Sequence, residues 1–467
     1  MLTKLEDKVL RVFGEDATAE KGLHADLRAW RIPRYIEEYL VSRICGGNSE
    51  GEDCLERIHD FLSNLRPSPE EKEVFLDKLI RKGEILVLDF YRARVDLRER
   101  IYKLEIPVLD IHSALVDRSV IRRYKRLLSY GVWGIGTIKY VPSLKEQGKR
   151  VDPLIMTDLR PYEVTEVDIK EFIERRSKFS EEEWVDLIIL SIGLNPDVYD
   201  TEERLLLISR LIPLVEPNLN IMELGPRATG KTFLYRNISP HVRVISGGVV
   251  SPAILFYNIR EKTIGLIGIM DVVVFDEIHY VKFSNINEIR GKLKDYMASG
   301  HFERGNKQAA SDCSLAFLGN TDRPVIDPAD IFSDLPLFRE DPALVDRVHG
   351  LIPGWKLPKI TTKHLATSRA LATDYLSAVM HELRKIDMTA KAKDIFRIEG
   401  KPSIRDEQSI YRLLSGMLKL LYPDGEIKGK LVPQIADLVR DMRGFIREWL
   451  STVLPDEYGE EIEVKVK

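Results

Sequence analysis

Gly225-Pro226-Arg227-Ala228-Thr229-Gly230-Lys231-Thr232 satisfies every fixed position of the pattern G-x-x-x-x-G-K-[ST]. Ahead of it, Leu219-Asn220-Ile221-Met222-Glu223-Leu224 reads as a short buried strand. Behind it, Phe233 to Asn237 continues as a helix before Pro240. Strand, glycine turn and helix in this order make a loop that wraps phosphate. Glycines let backbone N–H groups curl round phosphate oxygens. Lys231 can reach the β- and γ-phosphates, and the Thr232 hydroxyl can ligate Mg2+. ATP with Mg2+ is therefore the expected ligand of residues Gly225 to Thr232.

Two further segments extend this to hydrolysis. Val272-Val273-Val274-Phe275-Asp276-Glu277 is an apolar strand with two carboxylates at its C-terminal end, where open α/β sheets bind ligands. Asp276 is expected to hold Mg2+ together with Thr232, and Glu277 to act as general base on the attacking water. Leu315-Ala316-Phe317-Leu318-Gly319-Asn320-Thr321 is the next apolar strand, and the Asn320 amide can orient the same water. A strand ending in Asp-Glu means little alone; its position after the loop gives it weight.

The 467 residues suffice for several domains and a large core. The net charge of −4 offers no global basic excess, so a nucleic-acid partner needs local basic patches. Cys45, Cys54 and Cys313 are too few and too scattered for a disulfide framework or a zinc site, which points to a reducing, cytoplasmic compartment. Glu6 and Asp7 stand where a signal peptide needs apolar residues. No apolar run approaches the ~18 residues of a spanning helix, so no membrane partner is expected.

Along the chain, residues 1–105 read as a mostly helical domain, with helices at 33–45 and 69–82 and a loop at 46–51. Its end, 84–105, turns strand-like, with Arg92, Arg94, Asp96 and Arg98 alternating. Residues 106–163 read as a β-rich basic subdomain. There Arg118, Arg122, Arg123, Lys125 and Arg126 cluster, and Lys145, Lys149 and Arg150 occupy a charged loop between strands at 132–140 and 151–157. Both groups suit phosphate contact, and both suit an ordinary solvated surface. Residues 164–200 are linker helices, one of them opened by Ser180 and Glu183 as a capping box. Residues 201–358 alternate strands and helices, as in a parallel sheet covered by helices, with helices at 203–215, 254–260 and 288–299. Residues 359–467 form a helical lid and C-terminal tail, with helices at 365–384, 405–422 and 433–450.

The phosphate loop, the Asp-Glu strand, the Asn-ended strand and then Leu344-Val345-Asp346-Arg347 before a helical lid resemble the AAA+ ATPases, in the branch of the Lon proteases and MCM helicases. The resemblance implies an α/β fold: an AAA+ P-loop ATPase core with a helical lid, preceded by a helical and β-rich N-terminal region. It makes Arg347 the arginine finger that serves a neighbouring subunit's nucleotide. It makes an arginine at the start of a lid helix, Arg405 with Arg412 as the alternative, a contact to the γ-phosphate in cis. It also makes the hairpin bearing Arg304 and Lys307 a candidate to project into a ring channel, with a solvated hairpin as the other reading.

Further segments are similar to the BrxL family, the Lon-like ATPases of BREX phage-defence systems. They are Met222-Glu223-Leu224-Gly225-Pro226, Ile238-Ser239-Pro240-His241, Ile245-Ser246-Gly247-Gly248, Ile352-Pro353-Gly354-Trp355, Glu183-Trp184-Val185-Asp186-Leu187 and Ser191-Ile192-Gly193-Leu194-Asn195-Pro196. That family implies a ring-forming ATPase that binds duplex DNA, with hexamers that can pair into a dodecamer, and other BREX components as partners. Longer members carry a Lon-like protease domain after the lid. No Ser–Lys dyad segment is found here and Ser415 lies in an expected lid helix, so no protease activity is expected. The alternative reading, an ATP-dependent unfoldase serving a separate protease, asks for an aromatic and apolar pore loop where Arg304 and Lys307 stand.

Overall fold

Glu84–Asp96 forms one long strand, in which every second side chain from Ile85 to Ala93 is buried. The computed structural model describes residues 4–22, 30, 32–45, 52–146, 151–162, 166–260, 262–321 and 330–467. The expected loop at 46–51, residues 164–165 of the expected linker, and Lys149 and Arg150 lie outside these. Lys145 has its backbone in the helical turn Ser143–Glu146, and its side chain lies outside the description. The chain divides into two units, one of Glu15–Val167 and Ala372–Ala378, the other of Met1–Gly14, Asp168–Leu371 and Val379–Lys467.

In the first unit, Glu84–Asp96 pairs antiparallel with Ile101–Ile106 on one side and with Val132–Tyr140 on the other. Ile111–Val116 and Leu154–Pro161 pair in parallel and complete a closed five-stranded barrel. Val87, Leu104, Ala114, Ile138 and Met156 fill it. Gly136 makes room for Tyr91, since a Cβ there would lie 2.8 Å from its ring. A domain boundary at 105/106 therefore fails: it falls inside the strand Ile101–Ile106, whose last residue pairs with Ile111 of the next barrel strand. The strand-like end of the helical region and the β-rich subdomain are one body, because a barrel has no free edge.

The helices Arg34–Cys45 and Glu52–Leu65 bury Ile36, Leu40, Ile58 and Leu62 together with Leu88 and Trp133. Their packing brings Cys45 and Cys54 to a Cα separation of 5.5 Å, and the two form a disulfide. Spacing alone hid this pair, and with it the cysteine argument for a reducing compartment loses its basis. Cys313 is buried and free.

The second unit is built on a five-stranded sheet in the order Gly350–Pro353, Asn220–Gly225, Ser314–Asn320, Val272–Asp276, Val242–Ser246. Every neighbouring pair is parallel. Consecutive strands along the chain lie on both sides of Asn220–Gly225, so that strand sits at a topological switch point, where the crevice for a ligand opens. Three expected helices differ. The one at 203–215 is two, Thr201–Ser209 and Ile212–Val215, with Pro213 in the first turn of the second. The one at 254–260 is a short helix, Pro252–Leu255, followed by a hairpin of Tyr257–Asn258 with Thr263–Ile264. Asn258 Oδ1 accepts the Arg260 N–H and closes the turn. The one at 365–384 is a strand, Arg369–Leu371, and a helix, Thr373–Leu383. The lid helices Ile404–Leu421 and Val432–Val453 are joined by a two-stranded sheet, Phe396–Gly400 with Ile462–Val466, so the tail is not helical alone. Among the described residues no helix is long and apolar enough to cross a membrane.

Candidate nucleotide site at one end of the sheet

Asn220–Gly225 is buried along its whole length. The loop leaves it through two left-handed residues, Ala228 (φ 66°) and Gly230 (φ 80°). Gly230 takes that conformation without strain, and a Cβ there would also sit 2.5 Å from Ile360 Cδ1. The chain at Ile360 crosses the loop, its N–H donating to the Ala228 carbonyl at 2.8 Å. Lys231 Nζ donates to the carbonyls of Gly225 (3.0 Å) and Pro226 (2.9 Å). Burial lowers the Lys231 pKa, and the Glu223 carboxylate opposes that shift. A phosphate oxygen is a stronger acceptor than a neutral carbonyl for this ammonium.

Under the loop lies a pair that sequence reading missed. Arg210 and Glu223 are fully buried and joined by two hydrogen bonds, Nε to Oε2 at 3.0 Å and Nη2 to Oε1 at 2.6 Å. Arg210 Nη1 also donates to the Thr229 carbonyl at 2.9 Å. One guanidinium thus ties the strand before the loop to the loop's far limb. The pairing spans a helix break and a strand, and no spacing rule signals it.

Thr232 Oγ1 donates to Asp276 Oδ1 at 2.8 Å. The other carboxylate oxygen accepts from Ser246 Oγ at 2.5 Å and Arg236 Nη2 at 3.3 Å. Asp276 pairs in register with Ser246 on the next strand. Thr232 and Asp276 offer a hydroxyl and a carboxylate oxygen side by side, a hard donor set that suits Mg2+. Ser246 and Arg236 are neighbours the sequence reading did not single out. The next residue, Glu277, is exposed and left-handed (φ 52°), an unfavourable conformation for a side chain of its size. Its turn ends the strand, and the Ile278 N–H then bonds the Leu318 carbonyl. Such strain, commonly of order 1–3 kcal/mol, gathers at functional sites. Asn320 pairs in register with Gly225, so its amide stands beside the first residue of the loop.

Arg347 lies elsewhere. It precedes Gly350–Pro353, whose first residue pairs with Ile221 near the start of the loop strand. Its carbonyl accepts from Asn220 Nδ2, and the His349 N–H bonds the Asn220 carbonyl at 2.7 Å. The strand from Asn220 to Gly225 rises by roughly 17 Å, so Arg347 stands at the opposite end of the sheet from its own loop. Arg405 joins it there, Nη1 donating to Asp346 Oδ2 at 2.5 Å. Asp346 also accepts from the buried Arg443 at 2.7 Å. Arg412 donates to the Asn218 carbonyl at 2.9 Å, again ahead of the loop strand. The expectation of Arg405, or Arg412, as a contact to the phosphate of its own loop is thus not met by this geometry. The helix Ile404–Leu421 begins beside Asp346, not beside Lys231.

The hairpin of His301–Arg304 with Lys307–Ala310 forms as expected, turning at Gly305 (φ 59°). Arg304 does not face solvent freely: it donates to Glu288 Oε1 at 3.2 Å and to the Tyr257 carbonyl. It latches this hairpin to the Tyr257–Ile264 hairpin, whose turn exposes Arg260 and Lys262. Lys307 is exposed at its own tip. In the barrel unit, Arg118, Arg122, Arg123 and Lys125 are exposed on and just after the short helix Arg118–Arg123, and Arg126 is half-buried. Arg118 donates to the Arg100 carbonyl at 3.4 Å, which joins this cluster to the turn bearing exposed Arg98 and Arg100. Arg123 pairs with Asp158 at 3.3 Å. Ser415 is buried and donates to Glu216 at 2.9 Å, and Lys419 pairs with the same carboxylate at 2.7 Å. Serine and lysine here are helix-packing groups without access to a substrate.

The family profile described as Lon-like protease BrxL-like, ATPase domain, matches residues 154–464. A second, the BREX system Lon protease-like protein BrxL N-terminal, matches residues 11–140. The protein named Lon-like protease BrxL of Escherichia coli O9:H4 (strain HS) is 31% identical over 425 residues, covering 90% of this chain and 61% of that protein. Its namesake from Bacillus cereus (strain H3081.97) is 32% identical over 428 residues, covering 90% and 63%. The chain thus spans a little over three fifths of the length of these relatives. With an N-terminal and an ATPase-domain match in the family's order, and with the loop, Asp276 and Asn320 gathered at one end of a parallel sheet, the chain belongs to the BrxL family of Lon-like ATPases.

Proposed function

We propose that this chain is an AAA+ ATPase that assembles as a ring, encircles duplex DNA and hydrolyses ATP in BREX antiviral defence. The observation that carries the reading is a divided site. Gly225 to Thr232, Asp276, Glu277 and Asn320 gather at one end of the sheet, while Arg347, beside Arg405, stands at the other. An arginine there cannot serve its own phosphates, and head-to-tail packing of a second copy brings it to a neighbour's. Thr232 and Asp276 would hold Mg2+, which neutralises charge on the transferring phosphoryl group. Glu277 then takes the proton of the attacking water, Asn320 orients that water, and Lys231 exchanges loop carbonyls for phosphate oxygens.

Two further features support DNA as the partner. A closed five-stranded barrel with a basic loop and helix is a common oligonucleotide-binding architecture. Arg260, Lys262 and Lys307 bring three cations to adjoining hairpin tips, where phosphate contact releases counterions without reading sequence. The unfoldase alternative lacks an aromatic tip at these hairpins among the described residues.

Subunit mixing tests the divided site. Arg347→Ala keeps an intact pocket, and Lys231→Ala keeps an intact finger; each alone is expected to be inactive. Mixed rings regain hydrolysis where the second offers Arg347 to the first. If co-assembly is shown by labelled subunits and no activity returns at any ratio, the divided-site reading is wrong.

A further inference from the structure

The end of the sheet remote from the phosphate loop carries a second cluster, and it does not depend on the ATPase reading. His241 precedes the strand Val242–Ser246, and Asp271 precedes its neighbour Val272–Asp276. The Asp271 N–H donates to the His241 carbonyl at 3.0 Å, which locks the two strand starts together. His381 arrives from the end of the helix Thr373–Leu383. Its Nδ1 lies 2.6 Å from Asp271 Oδ2, and its ring stacks on that of His241 at 4.4 Å and 11°. One ligand atom from each of the three residues lies within 4.8 Å of the others.

We propose that His241, Asp271 and His381 bind one divalent transition-metal ion of the zinc type, completed by water. Bonds of about 2.0–2.2 Å in a tetrahedral arrangement put ligand atoms roughly 3.3 Å apart. Asp271 Oδ2 and His381 Nδ1 already stand 2.6 Å apart, and all three ligand atoms lie within 4.8 Å of one another. Because the two imidazoles stack face to face, the part-exposed His381 ring must turn out of the stack to aim its in-plane nitrogen at the ion. Two imidazoles and a carboxylate favour zinc, cobalt or nickel over Mg2+. The Thr232–Asp276 pair at the other end of the same strand has only oxygen donors and the reverse preference. His241 and Asp271 are buried, and the His381 side chain is 25% exposed, which leaves an entry path and room for the water.

A cation, Arg384, also stands beside the cluster. Arg384 Nε lies 4.0 Å from Asp271 Oδ1, on the oxygen that does not face His381. The rest of its guanidinium donates to the carbonyls of Pro213 and Asp312, so it orients the carboxylate without covering Oδ2. His381 Nδ1 and Asp271 Oδ2 lie at hydrogen-bonding distance, and metal binding requires the ligand nitrogen to be unprotonated. The ion would clip a helix end to the bases of two sheet strands.

The test uses the full chain, expressed without a histidine tag and stripped with a chelator. Zinc titration followed by elemental analysis after gel filtration is expected to give one ion per chain, and Co2+ to give tetrahedral d–d absorption bands. His381→Ala, at the part-exposed position, is expected to weaken zinc by on the order of 100-fold or more while far-UV circular dichroism stays native. His241→Ala serves as a second ligand deletion, and Thr232→Ala as a control that leaves zinc uptake unchanged. Less than about a tenth of an equivalent of zinc on the wild type, or stoichiometric zinc retained by both histidine variants, overturns the proposal.

Discussion

The two ends of the central sheet make unlike sites from the same five strands. At the C-terminal ends, Thr232, Asp276 and Asn320 are each the punctuation of a strand, and parallel register sets them side by side. At the N-terminal ends, Asp346 draws in Arg405 from 59 residues away and Arg443 from 97 residues away. Register builds the first site, and long-range ion pairing builds the second. Arg443 is fully buried between Asp346 and Asp406, and each carboxylate has a second arginine, Arg405 for Asp346 and Arg447 for Asp406. On the proposed function, the N-terminal end is where Arg347 would meet a second copy.

Three substitutions weigh one end against the other, and substitutions at the hairpins follow. The largest effect is expected from Arg347→Ala. Turnover should fall by roughly 10³–10⁵ with nucleotide binding retained, as when a finger supplied in trans is lost. A steady-state rate within about tenfold of wild type would reduce Arg347 to a structural residue. Next comes Glu277→Gln, where loss of the base should lower kcat by about 10²–10⁴ and leave ATP bound. Near-normal hydrolysis by that variant would remove Glu277 from the mechanism.

Arg405→Ala sharpens the contrast further. With Arg405 at the finger's end of the sheet, kcat should drop on the order of 10², with the Kd for ATP in isolated subunits unchanged. A raised Kd in the isolated subunit would restore the cis reading that the Asp346 pairing opposes. The smallest effect is on DNA. Replacing Arg260, Lys262 or Lys307 with Ala should weaken all duplexes alike and flatten the salt dependence by about one unit for each phosphate no longer neutralised. Arg304→Ala should act through the hairpins instead, altering protease sensitivity at Tyr257–Ile264. Sequence-selective loss of binding from any tip variant would indicate direct readout of bases.

Barrel and hairpin show where reading from residues alone gives out. The alternation in Glu84–Asp96 announces a strand. Its partners on both sides, and hence the closure that merges 84–105 with 106–161, depend on pairings no local pattern encodes. At 254–260 a helix is expected, and an Asx turn at Asn258 decides for a hairpin over 257–264. Arg304 stands in the expected hairpin, yet Glu288 and the Tyr257 carbonyl turn a cation suited to DNA into a latch.

By itself, the sequence determined the parts whose chemistry is carried by neighbours in the chain. The glycine pattern around Lys231, the carboxylates after four apolar residues and the Asn after the next strand all follow from backbone periodicity, because a strand delivers its last residue to the edge of a sheet. Only the tertiary structure decided the partnerships. Arg210 holding Glu223 and Thr229, Arg405 joining Asp346, Cys45 meeting Cys54, and His241, Asp271 and His381 converging all depend on packing distant segments. The physical reason is that short-range spacing constrains where a side chain points along its own element. The identity of the group it meets is settled when several elements bury their apolar faces together.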